Sequence, residues 1–279
     1  MQLYCCRRQT VSHELCVCGI FLFLSSTLKK TFEEMQYQRF NIGFLRKLFV
    51  VLLVCIPAIA FAQEEEKESA FYGSVDLASQ YIWRGTGYGD APSVMPTVGF
   101  YKGNFDVYAW GNWAFDNSYT EVNIGVSYSL GNFTLELVDY FYPGEGAKFF
   151  NFRNSTTTHS VEAAVTYEPE AFPLHVTVGS TIYGDDKKEN GKNAFSSYAE
   201  VGYTHQFNEK NSLMAAVGAS VGKGYYTDYE KNFSVVNLTA GYTRVFTLWN
   251  YDLPASATIA YNPYMEKFFW NIGLSFSIF

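Results

Sequence analysis

Beyond residue 62 this 279-residue chain has no cysteine; Cys5, Cys6, Cys16, Cys18 and Cys55 all lie before that point. A disulfide framework and a thiolate metal site are thereby excluded from the remainder. Basic residues are scarce there too. Of 27 acids and 20 bases, three acids and seven bases fall in residues 1–62, which leaves 24 against 13, a net −11. No nucleic-acid partner is expected of so acidic a segment, because such partners demand basic surfaces. A run long enough for a membrane helix is also lacking: residues 48–59 are apolar over about a dozen positions, where roughly twenty are needed. Catalytic and metal constellations are missing as well. His159, His175 and His205 fall on different segments without ligand spacing. His159 and Ser160 are neighbours, so in a strand they point to opposite faces and cannot act as base and nucleophile. The glycines of Gly144-Glu145-Gly146 and Gly222-Lys223-Gly224 are turn glycines, since no strand-to-helix context follows them. No cofactor and no metal are expected, and the chain does not read as an enzyme.

What is present begins with a leader. Arg39, Arg46 and Lys47 precede the apolar run 48–59, and Ala60-Phe61-Ala62 supplies small residues before Gln63. That three-part pattern predicts a cleaved secretory signal peptide over 35–62. Met35 opens a complete leader, so residues 1–34 read as an over-extended start. The third region, 63–279, is the folded body.

There the pattern has period 2 throughout and nowhere a convincing period of 3.6. Aromatics reach 19% of the chain at a mean hydropathy of only −0.07, which alternation explains: one face is greasy and the other polar. In the first segment Phe71, Gly73, Val75, Leu77, Tyr81 and Trp83 share a face, opposite Tyr72, Ser74, Asp76, Gln80 and Arg84. The expected strands are 71–84, 94–101, 105–115, 120–130, 133–142, 158–168, 174–183, 195–207, 212–222, 233–246, 253–261 and 267–279. Tight connections at 102–104, 131–132, 169–173, 208–211 and 247–252 face mostly longer, polar ones at 85–93, 143–157, 184–194 and 223–232. Short turns at one end and long loops at the other mark a transmembrane barrel. The expected fold is therefore all-β: a transmembrane, antiparallel, up-and-down β-barrel of about 12 strands, placed in a bacterial outer membrane. The two-residue turn Gly131-Asn132 pairs Leu130 with Phe133, which sets Asn123 against Tyr140 and Ser127 against Glu136.

Aromatics gather near strand ends, as interfacial girdles require. Tyr81, Trp83, Trp113, Phe115, Phe141, Tyr183, Phe195, Phe233, Tyr261, Phe268 and Trp270 are expected at the outer rim. Phe100, Phe105, Tyr128, Phe133, Tyr167, Phe207 and Phe246 are expected at the inner one. His159 and His205 take the lipid-facing phase near strand ends. The terminal Phe279, on an alternating strand, is expected to be read by the barrel-assembly machinery.

One stretch resembles a known family. Ser79-Gln80-Tyr81-Ile82-Trp83-Arg84-Gly85 is similar to the Ser-x-Tyr-x-x-Arg-Gly signature that opens TorF-type porins. The segments 121–128 (Glu-Val-Asn-Ile-Gly-Val-Ser-Tyr) and 139–144 (Asp-Tyr-Phe-Tyr-Pro-Gly) resemble two further strands of that family. The resemblance implies an outer-membrane barrel and a pore, and it implies no particular substrate.

Alternation assigns Asp76, Gln80, Arg84, Asp106, Tyr108, Trp110, Asn112, Glu121, Asn123, Glu136, Tyr140, Glu162, His175, Tyr198 and Glu200 to the lumen. Six carboxylates against one guanidinium predict a narrow pore for small hydrophilic solutes, cationic or neutral. Trp110, Tyr108 and Tyr140 are placed to stack on a sugar-like ring. A network of ion pairs around Arg84 explains the same residues equally, since charges in a confined lumen are paired or hydrated. The alternative function is a non-conducting structural or adhesive barrel whose outer loops bind ligands. A lipase or protease of the outer membrane is less favoured. Outer-membrane lipid and lipopolysaccharide, together with small solutes, are the expected partners.

Overall fold

The computed structural model describes residues 69–279; the expected leader, the extended start and the Ala62-Gln63 cleavage point lie outside the described residues. Alternation becomes wall. Twelve long strands close into one antiparallel barrel: β1 (Ser69–Ala78), β4 (Ser93–Lys102), β5 (Phe105–Ala114), β6 (Thr120–Leu130), β7 (Phe133–Phe141), β8 (His159–Tyr167), β9 (Leu174–Gly184), β10 (Ser197–Asn208), β11 (Asn211–Val221), β12 (Phe233–Leu248), β13 (Tyr251–Asn262) and β14 (Lys267–Ser277). Each pairs with its sequence neighbour, and β1 closes the ring by pairing with both β4 and β14. The tight hairpin places Leu130 opposite Phe133, Asn123 opposite Tyr140 and Ser127 opposite Glu136, the expected register.

Two faces separate as the period-2 pattern requires. The outward phase is greasy and exposed, with Phe71, Val98, Ile124, Val178, Val217 and Ile259 all open. Trp113, Phe115, Phe195, Phe233, Phe268 and Trp270 ring the loop end; Phe133, Phe207 and Phe246 ring the turn end, where Ser69 and Ser277 also lie.

The first strand departs from expectation. It leaves the wall at Ala78 instead of continuing to Arg84. There the Ser79 hydroxyl takes the place of the next backbone rung, accepting from the Ile272 amide at 2.9 Å, while the Ser79 amide donates to the Ile272 carbonyl. Asn271 Oδ1 accepts from the Gln80 amide and fixes the corner. The chain then turns inward and forms a separate small hairpin, β2 (Tyr81–Trp83) paired with β3 (Thr86–Tyr88). Its turn residues Arg84 and Gly85 both have positive φ, at 47° and 79°, the requirement of a type I′ turn. Tyr81 and Trp83 therefore stand inside the barrel and not in the outer aromatic girdle. Period 2 is common to wall and hairpin, so alternation alone carried the expected strand straight through the corner.

Candidate functional site

The interior is braced by one device used three times. A tyrosine on one strand lies flat across a glycine on the next and bonds to a polar group on the strand beyond. Tyr72 crosses Gly99 and donates to Asp106 at 3.0 Å. Tyr108 crosses Gly125 and donates to Glu136 at 2.9 Å. Tyr198 crosses Gly218 and accepts from the Asn237 amide at 3.2 Å. A Cβ on Gly99 would stand 2.6 Å from Tyr72 Cε1, so only glycine leaves room for the ring. His175 similarly lies against Gly202 and meets Glu200 at 3.3 Å.

Most interior carboxylates consequently have a tyrosine partner. Tyr119 donates to Glu121 at 2.5 Å, and the Asn123 amide donates to its other oxygen at 2.8 Å. Tyr198 donates to Glu200, which also accepts from Asn237 at 2.9 Å. The Tyr140 hydroxyl stands 3.5 Å from Glu162. Asp76 faces the interior between Met95 and Ser275, with no hydrogen-bond partner among the described residues. Asn112, opposite Glu121, is wholly buried with neither amide atom partnered among the described residues. Gln80 closes the base of the hairpin by donating to the Gly89 carbonyl at 3.2 Å.

At the loop end the hairpin spans this interior. Tyr81 packs on Trp110 (5.3 Å between ring centroids) and on Tyr119, and Tyr88 packs on Tyr119. The tip crosses to the far wall. Arg84 makes a two-pronged bond to Glu162, at 2.6 and 2.7 Å, the strong geometry for a guanidinium and a carboxylate. It also donates to the Tyr226 hydroxyl. Its charge lies over Trp83 and Tyr198, each centroid 4.5 Å away, and less closely over Tyr226. Gly85 presses on the backbone of Val236 and Asn237, where any side chain would collide.

The structure thus brings Arg84, Tyr140, Glu162 and Tyr198 together, and sets Trp110, Asn112, Glu121 and Asn123 behind the hairpin. Asp106, Tyr108 and Glu136 form a separate group on β5 and β7, and His175 with Glu200 another on β9 and β10. Sequence reasoning missed Tyr72, Tyr119, Tyr226 and Asn237. The first was on the correct face by alternation, while the others sit in loops or bond across three strands. Trp110 packs at a tilt on Tyr81, and Tyr140 packs on Trp83 at 5.8 Å; Tyr108 spans Gly125. Among the described residues no cluster of metal-binding side chains occurs.

No family model and no curated protein matches the chain. Among solved structures it is similar to the KdgM porin, at 10% identity and a TM-score of 0.44, over 75% of this chain and all of that one. An outer-membrane channel from Pseudomonas putida matches at 12% identity and a TM-score of 0.38, over 77% and 98%. A Rhodopseudomonas blastica porin mutant matches at 11% and 0.35, over 76% and 100%. The resemblance lies in the closed antiparallel wall.

Proposed function

We propose that the chain is an outer-membrane channel of narrow bore, passing small hydrophilic solutes that are cationic or neutral, with sugar-like solutes among them. One observation carries this reading. Asp76, Asp106, Glu121, Glu136, Glu162 and Glu200 face the interior against the single Arg84, whose charge is taken by Glu162. Acidic rings in a confined bore concentrate cations and exclude anions. The greasy outer face with an aromatic girdle at each end supports a membrane setting. Turn end inward to the periplasm is the orientation that suits the long loops. Export through the leader at 35–62, delivery by the barrel-assembly machinery through Phe279, and kinship with TorF-type porins belong to the same proposal. The Ser79–Gly85 signature builds the corner and hairpin that narrow the bore.

Reversal potentials across a salt gradient in planar bilayers test it. Cation preference is expected. Glu121→Gln with Glu200→Gln should move the potential toward zero, and Val126→Ala should not. Anion preference would overturn the proposal. The rings packed around Arg84 favour one second reading, a barrel shut at its loop end. No current through the wild type, with current through Arg84→Leu, would select that reading.

A further inference from the structure

The β7–β8 connection, residues 142–158, behaves unlike the other long loops. His159 opens β8 opposite Phe141, and both take the outward phase of the wall. An outward residue at a barrel rim is normally open, yet His159 is completely buried. It is covered because the loop folds back over the outside of the wall. Phe152 and Phe149 lie against the imidazole, with centroids 4.4 and 5.5 Å away. One ring nitrogen faces the outward carboxylate of Asp139 at 2.9 Å, and the other faces the Phe149 carbonyl at 2.7 Å. Tyr183, paired with outward-facing Val161, donates its hydroxyl to the Phe152 carbonyl. Asn151 ties the returning limb by donating to the Thr156 carbonyl at 2.8 Å.

This anchoring sets the segment Lys148–Arg153 beside the barrel at the height of the outer aromatic ring, not over its mouth. Phe150 is 88% exposed there, and Phe152 is half-exposed. Lys148 and Arg153 are exposed, and neither side chain has a partner among the described residues. Glu145 is the single acid in residues 142–158. The two other long loops balance their charges: Lys187, Lys188 and Lys192 offset Asp185, Asp186 and Glu189 in one, and Lys223 and Lys231 offset Asp228 and Glu230 in the other, whereas here two bases face one acid. Two free cations around a bare phenyl ring, on an otherwise acidic molecule, suit a partner that is anionic at one end and apolar at the other.

We propose that Lys148, Phe150 and Arg153 form a docking surface for the phosphorylated glycolipid of the outer leaflet, the lipid A part of lipopolysaccharide. The cations take its phosphates and Phe150 enters its acyl region. Asp139, His159 and Tyr183 are positioning residues that hold the loop against the wall. The proposal rests on the outer-membrane reading above.

The test uses full-length protein reconstituted in phosphatidylcholine vesicles, with diphosphorylated lipid A, fully dephosphorylated lipid A and inorganic phosphate as separate probes. Diphosphorylated lipid A should bind preferentially. At about 1 kcal/mol for each cation near an anionic lipid surface, Lys148→Ser with Arg153→Ser should weaken binding about 25-fold. The control pair Lys192→Ser with Lys223→Ser should change it less than about threefold, being bases of the other two loops. Phe150→Ser should weaken both lipid probes alike. His159→Leu should reproduce the loss although His159 itself is buried, and Lys148→Arg should not. Equal binding of dephosphorylated lipid, wild-type affinity in the Lys148/Arg153 pair, or full competition by inorganic phosphate would overturn the proposal. Conductance measured on the same vesicles separates the two readings. A silent wild type that still selects diphosphorylated lipid A defeats the channel alone, while normal conductance without selection defeats the docking surface alone.

Discussion

Arg84→Met removes the positive charge at the hairpin tip and leaves Glu162 behind. That carboxylate sits on a side chain only 3% exposed, and its remaining hydrogen-bond partner among the described residues is the Tyr140 hydroxyl at 3.5 Å. Stranding one member of a buried pair costs about 3–5 kcal/mol. The reverse change is milder. Glu162→Gln leaves Arg84 over Trp83, Tyr198 and Tyr226 with a hydroxyl to donate to, so a loss of about 1–3 kcal/mol is expected. Replacing both by apolar residues of similar volume, Arg84→Met with Glu162→Leu, should return most of the stability. Urea unfolding in lipid vesicles over wild type, Arg84→Met, Glu162→Leu and the double variant yields the coupling energy, expected to be favourable by at least about 1 kcal/mol. The hairpin has a second way to respond: it can lift from Glu162 and let water reach the carboxylate. Energy lost as unfolding stability then reappears as a wider bore, so conductance is measured on the same variants. Arg84→Met matching the wild type in both measurements would refute a stabilising role for the Arg84–Glu162 pair.

Placing Arg at Val126 or Leu274, on the greasy outer face, should cost about 2–4 kcal/mol in vesicle unfolding. The same change at Asp76, interior and unpartnered, should cost under about 1 kcal/mol; equal costs would mean a register misread by one residue. Gly125→Ala drives a methyl into the Tyr108 ring and should break the 2.9 Å bond to Glu136, with a loss of about 1–3 kcal/mol; a crystal structure of the variant with Tyr108 unmoved would contradict this. Burial, then the Asp186 carboxylate beside it, pushes the Tyr229 phenol from 10.0 up to about 12. A raised pKa means the folded loop holds the proton more tightly, so this contribution is full below pH 10 and is lost between pH 10 and 12. Ultraviolet titration against Tyr229→Phe should show the missing phenol ionising near the top of that window; ionisation at 10 would mean that the loop is open.

The wall was legible because a sheet with one greasy face writes its period directly into the sequence, and because Gly131-Asn132 permits only one register. Corners are another matter. Residues 79–88 keep the same alternation inside the lumen as they would against lipid, so Tyr81 and Trp83 carried no local sign of turning inward. The decisive contact, Ser79 with Ile272, joins positions 193 residues apart. Arg84 was legible as the lone base among acids, yet its partner among six carboxylates depended on how far a hairpin reaches. Tyr119 and Tyr226 sit in connections, where no period applies. His159 was read as interfacial from its phase; it is buried because a loop returned over it, an event decided by Phe149 and Phe152 and invisible to periodicity.

The closing seam has a consequence for how the molecule assembles. Paired register between β1 and β14 runs from Ser74 with Ser277 to Ala78 with Gly273, the shortest junction of the wall, with backbone bonds at Gly73 and Ser79 extending its two ends. It also joins the residues farthest apart in the chain, and loop-closure entropy makes distant pairings late. The same strand leads straight into the hairpin. Zipping the last, shortest seam and drawing Arg84 across to Glu162 are therefore coupled events in time. An assembly intermediate with an unsealed seam would be both a sheet with two bare edges and a tube without its inner constriction, and a single late step ends both conditions at once.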